Sequence, residues 1–116
     1  MTLASTRVRL DDDLDAVNDY FYAHGYTDGL PIVPPTPAGV RAFLDAGACE
    51  PDDLVGVEPV RRRRITAEKV AIAALMAGCL PAYMPTVLAI IKAMCVPQFN
   101  LHGSTASTGE IGRAHV

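Results

Sequence analysis

The chain has 116 residues, of which 50% are hydrophobic and 20% are charged, and its formal net charge at pH 7 is −3. This length fits one small domain or the first lobe of a larger one, and this composition excludes a disordered chain. The mildly acidic total argues against a dedicated nucleic-acid-binding protein, because such a protein needs a basic face.

Neither the N-terminal segment nor the cysteines indicate secretion. Met1 to Leu10 are followed by Asp11 to Asp13 rather than by an apolar run, so we expect no secretory signal and a cytoplasmic protein. The cysteines are odd in number and form no Cys-x-x-Cys pair; they are Cys49, Cys79 and Cys95. We therefore expect reduced thiols rather than a disulfide framework.

Two helices joined by a proline-rich loop are predicted in the first half of the chain. After an extended lead-in at residues 1–9, the carboxylates of Asp11 to Asp13 and an apolar stripe predict a helix over about residues 12–24. An N-cap threonine followed by proline, Thr36-Pro37, predicts a second helix that ends near Gly47. The residues expected on the apolar sides of these helices are Leu14, Val17 and Phe21, and Val40, Phe43 and Leu44.

A short strand and a third helix follow. Leu54 to Val57 are typical of a strand. Thr66 is a helix N-cap, and Glu68 suits the positive end of the helix that follows. We predict this third helix over Ala67 to Ala77, where a glycine closes it.

Residues 70–91 carry no charge, and a run of this length can span a membrane. Gly78 to Pro81 interrupts it, so two shorter buried helices explain the run better. The fourth helix is expected to begin near Pro81 and to stop before Pro97. Helices that are apolar nearly all round belong in an interior, and the apolar residues of the fourth are Val87, Leu88, Ile90, Ile91 and Met94.

This order of elements predicts an α+β fold that is mostly α, with about four helices and one short strand or hairpin. Residues 70–94 carry more apolar surface than the other short elements can cover. We therefore expect an incomplete N-terminal lobe of a larger protein, at residues 10–109, which is marginally stable without the rest of its chain. Residues 110–116 read back into codons as part of a common sequencing adapter, and we expect them to lie outside the natural domain.

The most distinctive segment is the proline loop, Gly25 to Thr36. Its prolines fix the backbone, so it can hold the Thr27 hydroxyl and the Asp28 carboxylate at low entropic cost on binding. We predict Asp28 as a catalytic residue and Thr27 as a substrate-binding residue. The alternative is a rigid connector in which Asp28 caps its own turn.

A second polar loop, Phe99 to Thr105, follows the fourth helix. His102 could transfer protons near neutral pH, and Asn100 and Ser104 could bind a polar substrate. We predict His102 as the second catalytic residue, and the alternative is an ordinary surface loop.

Other reactive side chains carry weaker signals. Arg61 to Arg64 could clamp a phosphate or carboxylate, with Arg61 as a substrate-binding residue, or could be a solvated edge that discourages strand pairing. Cys79 could face a site or be an inert buried thiol. His24, Asp28 and His102 have no metal-ligand spacing, so no metal is predicted.

Three segments together resemble the motifs of a poorly characterised bacterial family: Gly25 to Thr36, Glu68 to Cys79, and Phe99 to Gly103. Its members carry a Thr-Asp-Gly-Leu-Pro-(Val/Ile)-Val-Pro-Pro-Thr loop and a Phe-Asn-Leu-His-Gly segment. They are associated with UGSC-type (seleno)proteins and with proteins that bear thioredoxin-like labels. The resemblance covers nearly all of residues 10–108 and implies a longer parent enzyme. Because this chain has no Cys-Gly-Ser-Cys or Cys-x-x-Cys sequence, a redox role would need residues beyond Gly109.

These features predict part of a cytoplasmic bacterial enzyme that acts on a small polar or thiol-bearing molecule, and the lobe alone would be inactive. The sequence leaves the reaction class open between redox and lyase or hydrolase chemistry, and it leaves the cofactor unknown. The expected partners are the substrate and the rest of the chain, without nucleic acid or membrane, and a homo-oligomer stays open. The competing prediction is a non-catalytic helical interaction module that docks through residues 67–95.

Overall fold

A computed structural model describes residues 2–96 of the chain. Its elements in chain order are α1 (Leu14–Ala23), α2 (Pro37–Ala46), β1 (Leu54–Val57), β2 (Arg64–Thr66), α3 (Ala67–Met76), a 3₁₀ turn (Pro81–Tyr83) and α4 (Met84–Met94). The prediction of a mostly α, α+β fold with about four helices and a short hairpin is confirmed.

The hydrophobic core lies between α2, α3 and α4. Its largest fully buried side chains are Phe43, Leu44 and Met84, and α3 contributes mainly small residues to it. Small residues allow α2 and α3 to approach each other closely. A β-carbon added at Gly39 of α2, for example, would lie 2.8 Å from the Leu75 side chain of α3. The predicted buried side of the second helix is confirmed.

Local capping explains where three helices begin. The N-cap side chain accepts a hydrogen bond from a backbone N–H two or three residues later at Asp13 (3.2 Å), Thr36 (3.1 Å) and Thr66 (3.5 Å). Each bond satisfies a donor that has no partner within the helix. All three caps agree with the sequence-based prediction.

α1 is shorter than predicted and contains no buried residue. Leu14, the first residue of the predicted apolar stripe, is 58% exposed, whereas Val17 and Phe21 of the same stripe are half-buried. α1 is joined to the fold instead through Asn18, whose side-chain oxygen accepts a hydrogen bond from the Ile32 backbone at 2.7 Å.

The two strands form an antiparallel hairpin that the sequence only partly indicates. Leu54 pairs with Thr66 and Gly56 with Ile65, so Val55 is an extra residue in β1 that bulges into the core. Of the four arginines, only Arg64 lies in a strand. The other three lie in the connection between β1 and β2, so the predicted alternative of a solvated strand edge does not describe them.

The charge-free run at residues 70–91 is divided between α3 and α4, as predicted. Among residues 2–96, no helix is long and apolar enough to cross a membrane. α4 begins at Met84 rather than near Pro81, because the first residues form the 3₁₀ turn. Only Met84 and Leu88 of α4 are buried, and Ile90 is 53% exposed, so its predicted interior position is wrong.

Candidate functional site

The proline loop is fixed to the fold at two neighbouring positions. The backbone N–H of Ile32 donates to Asn18 Oδ1 (2.7 Å), and that of Val33 donates to the Met76 carbonyl at the end of α3 (3.1 Å). At the tip, Gly29 has φ of 106°, a conformation that side chains rarely adopt. The sequence therefore encodes a turn whose base is anchored to two helices.

Thr27 and Asp28 both hydrogen-bond to the turn that carries them. Asp28 Oδ1 accepts from the Leu30 backbone (3.0 Å), and Thr27 Oγ1 accepts from the Gly29 backbone (3.3 Å). The Asp28 residue is exposed and Thr27 is half-buried. The Asp28 carboxylate thus caps its own turn, as expected for a rigid connector, and it is also exposed to solvent.

An aromatic cluster packs beside this loop at the end of α1. The His24 ring stacks on Tyr20 with centroids 3.9 Å apart, and Tyr26 lies 5.7 Å from His24. His24 Nδ1 is 2.8 Å from the Tyr20 carbonyl oxygen, so the hydrogen-bond partner of this nitrogen lies within α1. Within residues 2–96, no group of three His, Cys, Asp or Glu side chains is placed to hold a metal ion.

Sequence reasoning missed the environment of Glu68. Its side chain is only 4% exposed, and its two oxygens accept hydrogen bonds from the backbone of Ala4 (2.9 Å) and Ser5 (2.7 Å). Lys69 Nζ donates to Ser5 Oγ at 3.0 Å. Burial raises the pKa of the Glu68 carboxyl, but the hydrogen bonds from Ser5 and Ala4 and the Lys69 charge outweigh it, so the net pKa is lowered.

This contact creates an open cleft of about 500 Å³ between the N-terminal segment and the start of α3. We call it the N-terminal cleft; its lining residues are Thr2, Ala4, Ser5, Glu50, Pro51, Asp52, Thr66, Glu68 and Lys69. Of the predicted site residues that the structure describes, Thr27, Asp28 and Arg61, none lines this cleft. No local pattern could have revealed it, because its walls come from segments that are far apart in the sequence.

The hairpin turn is built around Glu58. The Glu58 side chain is 9% exposed, and its oxygens accept from the backbone of Val60 (2.9 Å) and Arg61 (2.6 Å). Arg62 has φ of 60°, in the left-handed region that favours glycine. Arg61, a predicted substrate-binding residue, lies exposed in this turn.

The predicted site residues are attached to opposite ends of α3. The proline loop, with Thr27 and Asp28, joins it at Met76, whereas the hairpin that carries Arg61 leads directly into Ala67. The ten residues of α3 rise by about 15 Å. The hairpin and the loop therefore join α3 at points about 15 Å apart along the helix axis. The other predicted site residues, Asn100, His102 and Ser104, lie outside the described residues.

The three cysteines are free thiols that are partly buried. Burial and the charge of Asp53 raise the pKa of Cys49, although Lys92 opposes them. Burial and the charge of Glu58 raise the pKa of Cys95. A raised pKa lowers the thiolate fraction and hence the reactivity of a thiol. Cys79 packs against the hydrophobic core, in keeping with the inert alternative.

Comparison of the chain with protein-family models, with curated proteins and with solved structures found no match. Support for a function therefore comes from the residues of the chain and from their arrangement.

Proposed function

We propose that this chain is part of a cytoplasmic bacterial enzyme that acts on a small polar or thiol-bearing molecule, with the proline loop as one wall of the site. The observation that carries this proposal is the double anchoring of the loop at Asn18 and Met76. An anchored loop loses little conformational entropy when a ligand binds to it. Binding surfaces of this kind are commonly loops held by a rigid scaffold.

Asp28 carries the chemistry in this proposal. One carboxylate oxygen accepts the Leu30 N–H, which fixes the orientation of the side chain. The exposed carboxylate can then accept a hydrogen bond or a proton from a substrate N–H, O–H or S–H group. Thr27 would contact the substrate beside it, and His102, Asn100 and Ser104 would complete the same wall of the site.

The proposal leaves redox and lyase or hydrolase chemistry open, and two of the described thiols bear on the redox class. The raised pKa values of Cys49 and Cys95 disfavour the thiolate that disulfide exchange requires. A redox reaction would therefore depend on groups other than these two thiols.

Thermal unfolding of the full chain with a panel of small polar and thiol compounds tests the proposal. A ligand that raises the Tm should lose this effect in Asp28→Asn and in Thr27→Val. Asp45→Asn is the matched control, because Asp45 is an exposed carboxylate on α2. A ligand effect that persists in both loop variants would overturn the proposed site.

A non-catalytic helical interaction module is the alternative. Leu80, Tyr83 and Ile90, at the 3₁₀ turn and α4, are 56%, 52% and 53% exposed. Exposed apolar patches mark interaction surfaces, and a net charge of only −3 gives little repulsion between two copies of the chain. Sedimentation velocity should then show a dimer that Ile90→Lys dissociates and Asp28→Asn does not. A monomer at all concentrations would contradict this alternative.

A further inference from the structure

Four consecutive arginines, Arg61 to Arg64, project from the hairpin, and all four are exposed. We call this segment the arginine tip. It concentrates positive charge in a chain whose net charge is −3. If the arginines served only to prevent strand pairing, they would lie along a strand edge. Three of them lie in the turn between β1 and β2 instead, so edge protection does not explain them.

The backbone of the tip adopts a conformation that an arginine disfavours. Arg62 has φ of 60°, where a β-carbon approaches a backbone oxygen and where glycine or asparagine is usual. A hairpin that only had to reverse direction would be more stable with glycine at this position. The reversal of the chain alone therefore does not explain an arginine at this position, and a strained residue is a ground for a hypothesis of function.

Glu58 holds this conformation from beneath. Its carboxylate accepts from the backbone of Val60 and Arg61, its carbonyl accepts from the Arg62 N–H, and its own N–H donates to the Arg63 carbonyl (both 2.9 Å). The backbone N–H groups of Val60, Arg61 and Arg62 are thereby occupied. An anion that approaches the tip would be bound by the guanidinium groups and not by these three N–H groups.

We propose that the arginine tip is a binding site for the polyphosphate group of a small ligand. Guanidinium groups bind phosphate oxygens through two parallel hydrogen bonds, and a chain of phosphates can contact several arginines of one turn. A nucleic acid fits less well, because it needs an extended basic face and this tip is a single turn on an acidic chain. This site is independent of the proline loop and of the function proposed for that loop.

Calorimetric titration of the full chain with tripolyphosphate tests this site. The double variant Arg61→Gln/Arg63→Gln should weaken binding at least tenfold, whereas Arg41→Gln, at an exposed arginine of α2, should leave it unchanged. Affinity should also fall steeply as the salt concentration rises, because charge pairs are screened. No binding by the unmodified chain at low salt, or equal losses in both variants, would overturn the proposal.

Arg62→Gly separates binding from folding, because it should move the two in opposite directions. Removal of the strained β-carbon should raise the Tm by a few degrees, while loss of the guanidinium weakens tripolyphosphate binding. A higher Tm with unchanged binding would show that the Arg62 guanidinium does not contact the ligand and would contradict a site made by the whole tip.

Two further ligands test the chemical class. Citrate, a polycarboxylate, should bind more weakly than tripolyphosphate. A single-stranded oligonucleotide should bind no more tightly than tripolyphosphate when the two affinities are compared per phosphate group. Equal binding of citrate would remove the preference for phosphate. Tighter binding of the oligonucleotide, with the same dependence on Arg61 and Arg63, would replace a small ligand with a nucleic acid.

Discussion

The buried carboxylate of Glu68 hydrogen-bonds to the backbone N–H of Ser5, 63 residues earlier in the chain, at 2.7 Å. A second bond, to the Ala4 N–H, completes the pairing of both carboxylate oxygens, and Leu3 packs against the core beside them. A segment without helix or strand is thus fixed to the first turn of α3, and this attachment forms the N-terminal cleft.

Glu68→Ala should therefore destabilise the protein. The two backbone donors lose a charged acceptor, and we expect a loss of about 2 kcal/mol in the free energy of unfolding. Chemical denaturation measures this loss, and Glu50→Ala, at an exposed carboxylate of the same cleft, is the control. A loss equal to that of the control would show that Glu68 does not stabilise the N-terminal segment.

The same contact should make stability depend on pH. The folded-state pKa of Glu68 is lowered from its ordinary value of 4.5, so its contribution is fully present above that value and is lost as pH falls through the folded-state pKa. The difference in unfolding free energy between the unmodified chain and Glu68→Gln, which does not titrate, should be constant near neutral pH and shrink below pH 4.5. A difference that stays constant to pH 3 would contradict this assignment.

Asn18 should control the mobility of the proline loop. Asn18→Ala removes the acceptor of the Ile32 N–H and should cost about 1 kcal/mol, with faster amide exchange at Ile32 and Val33. Asn18→Asp keeps an oxygen at this place and should restore most of the protection. Protection unchanged in the alanine variant would mean that the loop is held by other contacts.

Gly56 should tolerate no side chain while Cys95 is present. A β-carbon at Gly56 would lie 2.7 Å from the Cys95 sulfur, so Gly56→Ala should cost about 1–3 kcal/mol. In the double variant Gly56→Ala/Cys95→Ala this cost should be partly relieved, because the Cys95 β-carbon, 3.0 Å away, is retained. Additive effects in this double-mutant cycle would show that the two residues do not contact each other.

Some features of the fold could be predicted from neighbouring residues in the sequence, and others could not. The start of α2 at Pro37 follows from Thr36 and Pro37 alone, because an N-cap bond and a fixed φ act within one turn. The exposure of Ile90 could not be predicted in this way. Its apolar side chain is typical of a core residue, but the position of α4 on the fold buries Met84 and Leu88 and packs Val87 and Ile91 against the core, while Ile90 lies on the exposed side.

The candidate site likewise has features that the sequence indicated and features that depend on tertiary structure. The turn chemistry of Thr27, Asp28 and Gly29 is local, and the sequence indicated both a rigid loop and the self-capping role of Asp28. The four arginines were also visible in the sequence. Their position in a turn was not, because it depends on the pairing of β1 with β2 and on the Glu58 carboxylate beneath them.

By itself, the sequence determined the fold class, the starts of α2 and α3 and the residues of α2 that face the core, since these depend on contacts within a few residues. Only the tertiary structure decided that Glu68 is buried against Ser5, that Gly56 faces Cys95, and that the hairpin and the proline loop attach to opposite ends of α3. These relationships join residues that are far apart in the chain. They arise when the helices pack together, and no local pattern specifies that packing.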